Sequence, residues 1–293
     1  MALNAQHHVE TAVMSATDKP LAGKCIVITR APGQSAEFAE QLQSLGAEVL
    51  FLPTIQFAET EDTRTLDRAV AEMDKFDWVI FTSRNAVKFV AKRFRYLQIS
   101  PERITKLMLT PQVAVIGNAT SDEAMAVGFL PNYEAEDSRG EALAQELSDQ
   151  LREKRVLLPR SDRANSALPR RLRELGAHVT EVIAYKTISP ESFDANVLKA
   201  LRDRNVDVIT LFSPSAYHFL VEEVGLDVFP RTSIFPRVSS KMLIATIGPT
   251  TSAEVRYDGL EVAIEAPRAS AASLCDAIVG YFLERDPKET QGQ

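Results

Sequence analysis

Cysteine is scarce: Cys25 and Cys275 are the only two in 293 residues. Two are too few for a metal cluster or a disulfide framework, so they read as small buried apolar side chains of a protein from a reducing cytoplasm. Histidine is scarce too, and none of His7, His8, His178 and His218 stands at ligand spacing from another, which excludes a histidine-built metal site. No run of about 18 apolar residues occurs, so no membrane span is expected. The opening "MALNAQHHVETAVMSATDKP" lacks a signal-peptide core. Residues 1–20 and 286–293 read as disordered tails. Net charge is −7 with both signs mixed throughout, leaving no field to draw nucleic acid. Neither GxxxxGK[ST] nor GxGxxG appears, and no Ser, His and acid constellation stands out.

What is present is a repeat. "LGAEV" at 45–49 returns as "LGAHV" at 175–179, 130 residues on, and Arg30/Arg160, Asp77/Asp207, Ala86/Ala216 and Phe89/Phe219 keep that offset. Gly117/Gly248 and Thr120/Thr251 follow with a shift of one more residue. Within each half, apolar runs such as "CIVIT", "WVIFT", "RVLLP" and "DVITLF" alternate with stretches of helical period, the pattern of a buried parallel sheet. The fold expected is α/β: two doubly wound, flavodoxin-like domains joined by a two-strand linker. "LPTIQFAET" and "IAYKTISPE" interrupt both halves at corresponding places, with Pro53 and Pro190 blocking helix. They are read as paired crossovers, so that residues 21–52 plus 190–285 form one domain, 57–182 the other, and 53–56 and 183–189 the linker strands.

In such sheets ligands gather at the carboxyl ends of strands, where helix N-termini present free N–H groups. Here those turns are rich in small hydroxyl residues: "ITRAPGQSAE", "FTSRNAV", "IGNATSDEA", "YEAEDSRGEA", "PRSDRANSA", "FSPSAYH", "IGPTTSAE" and "APRASAAS". Each alone is an ordinary helix cap. Together, with Arg30, Arg84, Arg139, Arg160, Arg163 and Arg268 in or beside them, they describe a donor-lined cleft between two domains, suited to a polycarboxylate or polyphosphate. Arg30, Arg84, Asn118, Arg160 and Thr251 are candidate binding residues in these turns. Tyr185 reads either as a packed strand aromatic or as a phenol reaching the mouth of that cleft.

From about residue 24 to 283 the chain resembles uroporphyrinogen-III synthase, through "ITRAPGQ", "FDWVIFTSRNAV", "VAVIGNAT", "RVLLPRSDRA", "LGAHVTEVIAYKT", "DVITLFSPSA" and "IATIGPTTSAE". The resemblance implies an enzyme that closes linear hydroxymethylbilane into a macrocycle, without metal or redox cofactor. It also implies that Tyr185 assists loss of the substrate hydroxyl, that Thr250 contacts substrate, and that Ser83, Arg84, Thr120, Ser213 and Ser215 lie at the substrate cleft. Some family members place Arg after a Pro in the "TS" turn, whereas Arg84 here follows Ser83 directly. A cytoplasmic monomer is implied, with room for transient hand-over from hydroxymethylbilane synthase. The competing reading from architecture alone is a bilobed protein that binds an anionic solute without chemistry; a regulator would want a DNA-binding segment, and none is evident.

Overall fold

The computed structural model describes residues 19–135, 140–230 and 242–285. Of the expected tails, 1–20 and 286–293, only Lys19 and Pro20 are among them, and Arg139 lies outside. Strands are β1 (Cys25–Ile28), β2 (Glu48–Phe51), β3 (Gln56–Ala58), β4 (Trp78–Phe81), β5 (Gln112–Ile116), β6 (Tyr133–Ala135), β7 (Arg155–Ser161), β8 (His178–Ile188), β9 (Val208–Leu211), β10 (Leu243–Thr246) and β11 (Ile264–Glu265). Helices are α1 (Pro32–Ser44), α2 (Arg64–Ala71), α3 (Arg84–Tyr96), α4 (Pro101–Leu109), α5 (Asn118–Ala126), α6 (Gly140–Glu146), α7 (Ser148–Leu151), α8 (Ala167–Glu174), α9 (Ala195–Arg202), α10 (Pro214–Val224), α11 (Pro249–Tyr257) and α12 (Ala271–Arg285).

The chain divides into two compact units, one through Ile55 and resuming at Ser189, the other Gln56–Ile188. The first unit's sheet runs β11-β10-β9-β1-β2, all parallel. The second runs β3-β8-β7-β4-β5-β6, with β3 antiparallel at its edge. Counted from β1 in one unit and from β7 in the other, both parallel sheets have the order 2-1-3-4-5 of the flavodoxin-like α/β class.

Each sheet is buried on both faces because successive residues point opposite ways. In β4, Val79 and Phe81 join the core under α2 to α5, while Trp78 and Ile80 join the core under α6 to α8. In β1, Val27 faces α9 to α11 and Ile26 and Ile28 face α1 and α12. Burying each such side chain stabilises by about 1.5–3 kcal/mol.

The repeated "LGA" is a helix stop. Gly46 follows α1 with φ +97° and Gly176 follows α8 with φ +90°, a region open to glycine. The next amides close the turn: Ala47 donates to Leu42 O at 3.1 Å and Ala177 to Leu172 O at 3.0 Å, the six-to-one bond of a Schellman cap. At Gly46 a Cβ would also meet Lys19 Cβ at 2.9 Å. Another matched pair locks the same amino edge of each sheet: Asp77 Oδ2 accepts the Arg155 amide at 2.7 Å and Asp207 Oδ2 accepts that of Cys25 at 2.8 Å.

The segment expected as linker strand 183–189 is extended up to the unit boundary at Ile188. β8 continues through it to Ile188, paired with β7 as far as Tyr185 and with β3 over residues 186–188. Backbone hydrogen bonding therefore carries the segment as part of the second unit's sheet.

Candidate active site

In both units the carboxyl edge of the sheet carries the predicted residues, centred where the strand order reverses, the switch point that binds ligands in open α/β sheets. In the second unit that point lies between β7 and β4. β4 ends at Phe81, and Ser83 takes an extended conformation (φ −158°, ψ 147°) to cap α3. Its Oγ accepts the Ala86 amide at 3.2 Å and lies 3.1 Å from the phenol oxygen of Tyr185. Arg84, half-buried, is the first residue of α3 and makes no hydrogen bond or ion pair among the described residues.

Tyr185 is a packed strand aromatic whose hydroxyl reaches the Ser83 turn. Its ring is core, 6% exposed, stacked on Phe89 at 5.4 Å and met edge-on by Phe57 at 5.5 Å. Its hydroxyl emerges at the Ser83 turn. Burial pushes the phenol pKa up; the Ser83 hydrogen bond opposes this, the Asp162 charge adds to it and Asn85 opposes it. Near neutral pH the group is a protonated phenol, able to donate.

Beside β4, Asn118 opens α5 and is exposed, while Thr120 is 5% exposed and packed into the helix's first turn. The α5 N-terminus, with Gly117 at its cap, has no side-chain cap. Arg160, at the end of β7, is engaged within the protein. It is 8% exposed, its guanidinium donates to Glu181 Oε2 at 2.6 Å and to the Asn165 carbonyl, and Arg173 holds the other Glu181 oxygen at 2.7 Å. An arginine held this way braces the turn after β7.

In the first unit the switch point lies between β1 and β9. Arg30 donates to Gln34 Oε1 at 3.2 Å, and its guanidinium lies 5.5 Å from the ring centroid of Phe212. Ser213 caps α10 as Ser83 caps α3, accepting the Ala216 amide at 3.2 Å, and Ser215 follows half-buried in the first turn. On the far side of β9, Thr250 is exposed in the first turn of α11, whereas Thr251 is 2% exposed. Neither α1 nor α11 has a side-chain cap. Not every first-turn amide is free: those of Gln34 and Thr120 turn back to the Ala31 and Gly117 carbonyls at 2.9 Å, and Pro32 and Pro249 have none. Those of Gly33, Asn118, Ala119 and Thr250 have no acceptor among the described residues, and a carboxylate is the favoured kind at a helix N-terminus.

The structure thus groups Ser83, Arg84, Asn118, Thr120 and Tyr185 along one edge, and Arg30, Ser213, Ser215, Thr250 and Thr251 along the other unit's equivalent edge. Sequence reading passed over Asp162 and Asn85 beside the phenol; their only signal was membership of hydroxyl-rich turns. A groove of about 550 Å³ at the amino ends of β7 and β8 is lined by Lys75, Arg155, Arg173 and His178. Its cations are occupied, Lys75 with Glu72 at 3.1 Å and Arg155 with Asp77 at 3.5 Å, and it lies at the wrong end of the strands for this site. Among the described residues no cluster of three or more His, Cys, Asp or Glu could hold a metal ion, and no helix is long and apolar enough to cross a membrane.

The family model described as uroporphyrinogen-III synthase HemD matches residues 36–276. A uroporphyrinogen-III synthase of Synechococcus elongatus is 31% identical over 267 residues, covering 85% of this chain and 97% of that protein. The enzyme of Chlorobaculum parvum is 25% identical over 244 residues, 82% of this chain and 92% of its own length. Among solved structures, a mutant uroporphyrinogen III synthase of Thermus thermophilus superposes with a TM-score of 0.58 at 15% identity, covering 90% of this chain and all of that one. The synthetase of Helicobacter pylori does so with 0.57 at 17%, covering 88% and 99%. The structural likenesses carry the α/β fold. With the family match spanning most of the sequence and a relative above 30% identity, the chain belongs to the uroporphyrinogen-III synthase family, lyases of haem and tetrapyrrole biosynthesis.

Proposed function

We propose that the carboxyl-edge turns of both sheets grip the carboxylates of hydroxymethylbilane, and that orientation, more than acid catalysis, directs its cyclisation. The observation that carries this reading is that each unit has helix N-termini without side-chain caps at its carboxyl sheet edge: α1 and α11 in the first, on the edge that also holds Arg30, Ser215 and Thr250, and α5 in the second, on the edge that also holds Arg84. Backbone amides recognise carboxylates without a large basic patch, so a chain of net charge −7 can hold a polyanion.

The substrate itself supplies much of the driving force. A pyrrole nitrogen pushes out the terminal hydroxyl, which leaves as water once protonated, and an azafulvenium cation remains. Free in solution that cation closes to the symmetric type I ring. Held with ring D folded inward, it is attacked by the substituted carbon of ring D, giving a spiro-pyrrolenine that fragments and recombines with ring D inverted. Proximity and orientation provide the selection.

Tyr185 donates a hydrogen bond to the departing hydroxyl, a contribution of roughly 10- to 100-fold. Ser83 aims it, and Arg160 braces the neighbouring turn through Glu181. The protein acts as a cytoplasmic monomer that receives its substrate by transient hand-over from hydroxymethylbilane synthase, and the 130-residue offset reflects duplication of one α/β unit. Competition tests the carboxylate reading. Uroporphyrinogen, with its eight carboxylates, should inhibit turnover of hydroxymethylbilane, and a porphyrinogen carrying alkyl groups in their place should not. Equal inhibition by both would overturn it.

A further inference from the structure

Regular strands send neighbouring side chains to opposite faces. β8 breaks that rule once. Val182 and Ala184 face the core under α3, as alternation demands, yet Tyr185 faces it as well. The pairing with β7 explains why: Arg160 aligns with Ile183, the next residue Ser161 aligns with Tyr185, and Ala184 is the extra residue of a bulge. Such bulges re-aim a side chain, and they interrupt the ladder that would otherwise hold it.

The turn after β7 makes good that interruption. The Asp162 amide donates to the Tyr185 carbonyl at 3.2 Å, and the Asp162 carboxylate accepts the Thr187 amide at 2.9 Å. Ser161 joins both sides, its Oγ donating to Asp162 Oδ1 at 3.0 Å and lying 2.8 Å from Thr187 Oγ1. One residue therefore grips β8 on either side of Lys186, just past the bulge. The Asp162 backbone holds Tyr185, and its side chain holds Thr187.

We infer that Asp162 is a positioning residue for the reaction: by pinning the β8 bulge it turns the Tyr185 phenol toward Ser83 and fixes it there. The catalytic half of this statement rests on the proposed role of Tyr185; the positioning half does not. Asp162 touches no reacting atom in this account and acts through β8. Its charge also helps the phenol retain its proton, in the same direction as burial.

Two readouts separate the halves. The first is the 13Cζ resonance of Tyr185 in protein labelled at tyrosine, assigned by its loss in Tyr185→Phe. Asp162→Asn keeps an acceptor oxygen for the Thr187 amide and should leave one sharp resonance, whereas Asp162→Ala should move or broaden it. Should Asp162→Ala not fold, Asp162→Glu, which lengthens the arm by one methylene, should displace the resonance likewise. An unmoved resonance in the folded Ala or Glu variant overturns the proposal.

The second readout is kinetic. Asp162→Ala should lower kcat about tenfold with KM held within about twofold, the pattern of a misplaced group. Combined with Tyr185→Phe it should be no slower than Tyr185→Phe alone, because both changes act through one hydroxyl. Losses that multiply instead would show Asp162 acting elsewhere and would also overturn the proposal. A Tyr185→Phe enzyme of unchanged rate removes the role of the phenol, and the resonance then still decides the positioning.

Discussion

Ser83 and Ser213 offer a controlled pair, since each caps a helix by accepting the amide three residues on, at 3.2 Å in both cases, and only Ser83 also meets a phenol. Ser213→Ala should remove a cap and little else, a loss of about 1 kcal/mol. Ser83→Ala removes the same cap and strips a partner from the hydroxyl of a tyrosine that is 6% exposed, which adds about 1 kcal/mol, kept low because Asn85 still hydrogen-bonds the phenol. The expected losses are therefore about 1 and about 2 kcal/mol respectively. Urea titration reads both, by far-UV circular dichroism for Ser213→Ala and by the fluorescence of Trp78, the chain's single tryptophan and 3% exposed, for Ser83→Ala. Tyr185→Phe completes a cycle: it keeps the ring on Phe89 and Phe57, and the coupling with Ser83→Ala should be about 0.5–1 kcal/mol. Equal losses at the two serines, with zero coupling, would show that the hydroxyl contact contributes nothing and would refute the reasoning that Ser83 aims the phenol.

Tyr185→Phe should form product 10- to 100-fold more slowly while folding normally, whereas Tyr185→Ala should lose about 3 kcal/mol of stability through the cavity left beside Phe89; a wild-type rate in the Phe variant removes the phenol from the mechanism. Asp77 is held below the usual carboxylate pKa, chiefly by the Arg155 amide. The stability it adds is present above about pH 4 and is lost as pH falls through the lower folded value. Asp77→Ala should accordingly cost about 1–2 kcal/mol at pH 7 and progressively less in acid, as Trp78 fluorescence would report; a penalty independent of pH argues against the charge. Arg93 is 3% exposed and donates to Asp67 at 2.7 and 2.9 Å. Asp67→Ala should lose about 3 kcal/mol, and Arg93→Met together with Asp67→Leu should restore most of it; if the double variant is the less stable, the pair is worth more than apolar packing.

Elements announced by local chemistry were legible. The apolar runs become the strands they predict, and "LGA" becomes a Schellman cap twice because only glycine readily takes that left-handed φ next to a leucine and an alanine. Short edges were not. β6 has three residues, too few for a period to show, and of the apolar run "EVAI" only Ile264 enters the two-residue β11. The start of α1 was obscured for a different reason: the helix begins at Pro32, yet Ser35 is non-helical within it (φ −143°, ψ 22°), its hydroxyl bonding Ala31 O at 2.9 Å.

At the site, residue types at strand ends could be read directly, because small hydroxyl residues and arginine concentrate there. Orientation could not. Arg160 looks available in sequence, and only the fold brings Glu181 against it. A two-residue period sends Ala184 and Tyr185 to opposite faces, so the bulge that puts both on one face is invisible without the β7 register. Asp162 acts through contacts about 25 residues away, a separation that no local pattern encodes.

The measurement that bears most directly on orientation as the source of selectivity is the isomer composition of the macrocycle formed from fresh hydroxymethylbilane by Tyr185→Phe at stoichiometric enzyme, compared with the unaltered protein. If bound carboxylates fold the bilane, both proteins yield the type III isomer and the variant is merely slower. Type I as the main product of the variant would contradict the account, placing selection in the phenol instead of in the grip of the strand-end turns.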